Sequence, residues 1–120
     1  MEALTKLCWI LLALLHLAPS LALFRPGMVE RLYGVPASGD LGVLLTHRAA
    51  LFLAVLVACV FAAAAPEARR LASIVCAISM IGFLVVYVSA GAEAGPLRRI
   101  AVADAVGLLP LAFVAWRAWS

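Results

Sequence analysis

Residues 41–65, LGVLLTHRAALFLAVLVACVFAAAA, form an apolar run long enough to cross a bilayer, yet His47 and Arg48 stand side by side within it. A span needs about 20 mostly apolar residues. A charged side chain near its centre costs about 3 kcal/mol or more unless it is paired or hydrated. Ionisable residues inside a span therefore mark a functional site by default. Three further apolar runs surround this one, and each carries a polar residue of its own. The expectation is that the four runs pack around those groups.

Composition supports that class. The 120 residues are 68% hydrophobic and 12% charged, where a soluble domain would carry about a quarter charged residues. One integral membrane domain covering residues 1–120 is expected, all-α, built as a four-helix bundle. The net charge of +3 is spread along the chain, with no basic block or arginine-aromatic interleaving, so no nucleic-acid partner is expected. Cys8, Cys59 and Cys76 all lie in apolar runs and form no CxxC pair or zinc spacing. Cysteine in such places is a small apolar filler, and no metal site is expected.

The first span is expected over residues 7–24, interrupted by His16 and by Pro19, which removes a backbone donor and so kinks or ends the helix. A secretory signal cleaved after Ala22 is the alternative; His16 in mid-run and three more spans downstream favour a retained helix. Residues 25–39 form the longest polar connection. Met28, Val29, Leu32 and Tyr33 recur there at helical spacing, which predicts a short interfacial helix with Tyr33 at headgroup depth. It is either a plain surface loop or a lid over a site. Ser38 or Asp40 is positioned to cap the second helix. That helix, residues 40–65, would be roughly 39 Å long at 1.5 Å per residue, longer than a hydrocarbon core of roughly 30 Å, so it tilts or projects. If it starts later, Arg48 snorkels to the interface instead. A tight basic turn follows at residues 66–70. The third span is expected over residues 71–90, with Ser79, Gly82 and Ser89 as small residues that allow close helix approach. The fourth runs over residues 97–119, with Pro110 as a possible bend and Trp116 and Trp119 at the closing interface.

Four spans place both termini on one side with the connection at 66–70. With Arg48 set aside, that side carries Lys6, Arg69, Arg70 and Arg117, and the other carries Arg25, Arg31, Arg98 and Arg99. The positive-inside rule is tied; both termini are read as cytoplasmic. In an alternating bundle, His16, His47, Arg48, Tyr87 and Asp104 fall at a similar depth, nearer the two longer connections. An arginine fork matches a carboxylate and stays charged, so an Arg48–Asp104 pair is expected, with His16, His47 and Tyr87 around it. The cluster either fixes helix packing, holds a lipid-soluble or anionic molecule, forms part of a proton or solute path, or carries haem between His16 and His47. Arg98 and Arg99 read as interfacial phosphate contacts.

Laid out as LYGV, LLTHRAALF and LRRIAVADAVGLL, the chain resembles a bacterial family of small four-helix membrane proteins, similar in plan to the DoxX-like proteins. The resemblance rests on His47-Arg48 early in the second helix, Ala103-Asp104 in the fourth and His16 in the first. It implies a bacterial inner-membrane protein and, through the DoxX-like comparison, quinone- or thiol-linked redox work. Family members are often labelled phosphopantetheine adenylyltransferase. The soluble enzymes of that name are α/β proteins with a His-x-Gly-His motif, which neither histidine here matches, so the label is rejected. No reaction and no particular cofactor follow. The expected function is an accessory or partner-binding membrane module with a polar Arg-Asp-His cluster, its partners being the bilayer and either a membrane protein or further copies of itself. The alternatives are a membrane enzyme or binding protein for a quinone or lipid, and a transporter subunit working as an oligomer.

Overall fold

The computed structural model describes residues 1–25 and 27–120; Pro26, within the expected connection at 25–39, lies outside them. The described residues are helical without strands: α1 Glu2–Leu15, α2 Leu17–Leu21, α3 Gly27–Tyr33, α4 Gly39–Ala64, a 3-10 turn Pro66–Ala68, α5 Arg69–Ser89 and α6 Pro96–Trp119. Three helices are long and apolar enough to cross a membrane: Gly39–Ala64, Pro66–Ser89 counted with its leading 3-10 turn, and Pro96–Trp119. The molecule measures 44 × 30 × 18 Å, its long axis close to the roughly 40–45 Å of a bilayer with headgroups.

The apolar run at the amino end is broken in two at His16, and the break has a local cause. Pro19 has no N–H to offer the carbonyl of Leu15. One turn earlier the His16 amide turns from its helical partner to the carbonyl of Ala13 at 3.1 Å. The carbonyl of Leu12, which that amide would have met, instead accepts from His16 Nδ1 at 2.8 Å. By contrast, Pro110 lies within an unbroken α6. Ser38 occupies the N-cap of α4 without a side-chain capping bond, so the cap expected from its hydroxyl is not made.

α5 packs on α6, α1 lies against both α4 and α6, and α4 touches α5. Their shared core joins Trp9 and Leu12, Cys59 and Ala62, Cys76 and Met80, and Leu111 and Val114. The Sγ atoms of Cys59 and Cys76 are 4.0 Å apart and unbonded. Gly107 lets α6 come close: a Cβ there would stand 2.6 Å from Met80 and 2.7 Å from Leu15. A second, smaller cluster of Ala22, Val29, Tyr33 and Ala49 ties α3 down over α4. Tyr33 is therefore buried, at 8% exposure, packed against α4 by the short helix that its spacing predicted. Gly34, at φ +71°, ends α3 in the left-handed region that glycine reaches without strain. Outward faces carry large apolar side chains such as Leu44, Phe61, Ile78 and Leu109. Lipid, not water, suits an exterior of that kind.

Arg69 fastens the opposite end. Pro66 stops α4, leaving its last carbonyls without helical partners. Arg69 Nε donates to Ala62 O at 2.8 Å and Nη2 to Ala63 O at 3.3 Å. Its Nη1 meets Glu2 Oε1 at 2.7 Å. One half of the expected basic turn is thus a buried clasp joining α1, α4 and α5.

Candidate functional site

The break at His16 also builds a deeply enclosed polar position. His16 is 2% exposed. Because its Nδ1 lies 2.8 Å from a carbonyl oxygen, that nitrogen carries the proton and donates. Nε2 is then free to accept from the Ser79 hydroxyl on α5, at 3.4 Å. Both ring nitrogens are engaged in a neutral imidazole. A haem held between His16 and His47 does not fit this arrangement. His47 is exposed and lines a separate recess with Leu23, Ser38 and Thr46. No group of three metal-ligating side chains occurs among the described residues.

Beside His16 opens a cavity of about 360 Å³, within the range of roughly 300–1,000 Å³ usual for ligand pockets. α1 and α2 supply Leu15, His16 and Pro19; α3 supplies Met28, Arg31 and Leu32; α4 supplies Phe52; α6 supplies Arg99, Ile100 and Asp104. The walls are mainly apolar, Arg31 and Arg99 are exposed, and His16 and Asp104 are buried. Asp104 is 8% exposed, and it forms no ion pair within 4.0 Å with any basic group among the described residues. A carboxylate in such surroundings calls for a hydrogen-bond donor.

The expected Arg48–Asp104 pair is not made. The one ion pair among the described residues joins Arg69 to Glu2. Arg48 lies instead among three aromatic rings, with Cζ 4.6 Å from the centroid of Phe52, 5.1 Å from Phe83 and 5.9 Å from Tyr33. The ring faces carry negative charge, so they hold a guanidinium without a carboxylate. Arg48 is half-buried, and its Nε, like the hydroxyl of Tyr33, has no hydrogen-bond partner.

The five residues expected to cluster therefore divide. His16 and Asp104 line the cavity. Arg48 sits behind its wall, with Phe52 between them: the Phe52 ring is 5.8 Å from that of His16. Tyr87 stacks on Phe83 at 6.0 Å and donates its hydroxyl to Glu93 O at 2.8 Å, so it adds no acid to the cavity. His47 faces away. Of the expected phosphate contacts, Arg99 lines the cavity and Arg98 lies outside it, and both are exposed. Phe52, Phe83 and Arg31 were not among the site residues expected from the sequence. Phe52 had a signal, being four residues after Arg48 and so on the same helix face; Arg31 and Phe83 had none. Comparison with protein-family models, curated proteins and solved structures finds no match to this chain.

Proposed function

We propose that this chain is a small four-span membrane protein, α1 and α2 together making the first span, which binds a lipid-soluble ligand in the cavity beside His16. One observation carries the reading: a mostly apolar cavity lined by helices α1, α2, α3, α4 and α6 with a buried, ion-pair-free carboxylate, Asp104, in its wall. A polar cluster serving only to lock helices would pair its charges with each other, and these charges are apart. Lipid and quinone are the ligand types such walls suit. The resemblance to small DoxX-like proteins supports a bacterial inner-membrane setting; both termini are proposed to be cytoplasmic. A bundle of this size leaves little room for a transport path, so the bound ligand would serve a larger membrane partner or a second copy of the chain.

Thermal unfolding in mild detergent, with and without lipid extracted from the source membrane, tests the reading. A ligand at about 100 times its Kd stabilises the folded state by about 2.7 kcal/mol. Wild type should gain stability with extract, and Ala103→Phe, which fills the cavity, should gain none. Equal gains in both proteins would place the ligand elsewhere.

A further inference from the structure

The rim of the cavity carries charge that the chain itself does not neutralise. Arg31 comes from α3 and Arg99 from the first turn of α6, and both line the cavity mouth. They are held together by a bond from Arg99 Nη2 to the carbonyl of Arg31, at 3.4 Å. Neither has a carboxylate within 4.0 Å among the described residues. The bond places the Arg99 guanidinium beside the backbone of α3, and the exposed Arg31 side chain lines the same cavity; an anion there would meet two positive charges. Guanidinium forks match the oxygens of phosphate and carboxylate.

Inward from the rim the chemistry changes. The walls become Met28, Leu32, Phe52 and Ile100. Asp104 lies five residues beyond Arg99 on α6, about 7.5 Å deeper at 1.5 Å per residue. Its carboxylate keeps an anion away from the inner end. The cavity thus combines exposed arginines, apolar walls and a buried carboxylate, a set that suits a ligand with an anionic head and an apolar chain.

Resting on the binding reading above, we propose that the ligand is an amphiphile whose anionic head, phosphate or carboxylate, sits between Arg31 and Arg99 while an apolar chain lies along Met28, Leu32, Phe52 and Ile100. A ligand taken from the bilayer meets these features in the right order, head at the interface and chain within.

Native mass spectrometry in mild detergent separates the possibilities, using lysophosphatidic acid, the monoacylglycerol of the same chain length, and inorganic phosphate as probes. Wild type should retain lysophosphatidic acid over the monoacylglycerol by at least about tenfold, the factor that one charge-assisted hydrogen bond supplies. The Arg31→Gln/Arg99→Gln double variant should retain the two equally, and inorganic phosphate alone should give no adduct. The single variants, each expected to reduce the preference, carry the test if the double variant does not fold. Equal retention of both lipids by wild type would overturn the anionic head while leaving the cavity as a binding site. Retention of inorganic phosphate as tight as that of lysophosphatidic acid would overturn the need for a chain. Retention unchanged in Ala103→Phe would overturn the cavity reading itself.

Discussion

The guanidinium of Arg48 stands 4.6 Å from the ring centroid of Phe52, one helical turn ahead on α4. The other face of the relationship is His16, whose ring is 5.8 Å from that of Phe52. A single side chain therefore steadies a half-buried charge and lines the cavity. A desolvated cation–π contact is worth about 2 kcal/mol. A double-mutant cycle of Phe52→Leu and Arg48→Met, followed by thermal unfolding in detergent, should give a coupling energy of about 1–2 kcal/mol. Additive effects would show that the aromatic cage contributes nothing.

Asp104→Asn is expected to alter stability by less than about 1 kcal/mol, because no buried partner is stranded when the charge goes. Were Asp104 paired with Arg48, the same change would cost about 3–5 kcal/mol. The unfolding midpoint of the purified variant decides between these values.

His16→Leu should destabilise by about 1–3 kcal/mol, since it leaves the buried carbonyl of Leu12 without a donor. Ser79→Ala should cost less than about 1 kcal/mol, in keeping with a contact of 3.4 Å. A cost for Ser79→Ala equal to that for His16→Leu would mean that the Nε2 contact, rather than the Leu12 bond, holds the ring.

The Glu2–Arg69 clasp predicts a pH dependence. Glu2 precedes the apolar run, and the hydrogen bond from Arg69 holds its carboxyl below the ordinary value of 4.5. A depressed carboxylate contributes stability that is full above the unfolded value and is lost as pH falls through the lower folded value. Unfolding followed from pH 7 down to about 3 should show that loss below 4.5, and Glu2→Gln should abolish it. Arg69→Met should cost about 2 kcal/mol at neutral pH, chiefly from the uncapped carbonyls of Ala62 and Ala63. Identical acid profiles for wild type and Glu2→Gln would separate the clasp from the titration.

The all-helical class and the apolar helices were legible because a run such as residues 41–65 satisfies its backbone only as a helix in lipid. The fate of Arg48 was not. Sequence displays the charge and its formal opposite at Asp104, and pairing is the obvious resolution. Which solution wins depends on rotation about each helix axis, and on the close approach that residues such as Gly107 permit. Phe83 sits 35 residues from Arg48 with no pattern linking them. The same holds for Arg69: a basic turn between two spans looks solvated until Pro66 leaves carbonyls for it to cap. His16 and Asp104 were singled out because polar residues in apolar runs are conspicuous. Tyr87 and His47 were equally conspicuous, and their side chains face elsewhere.

Native mass spectrometry of the protein purified in mild detergent, with an absorbance spectrum of the same sample, shows whether the cavity beside His16 holds a ligand. One small lipid-soluble molecule should be retained per wild-type chain and be absent from Ala103→Phe. A clean apo mass for the wild type, under conditions that preserve its fold and in the presence of its native lipids, would contradict the binding reading.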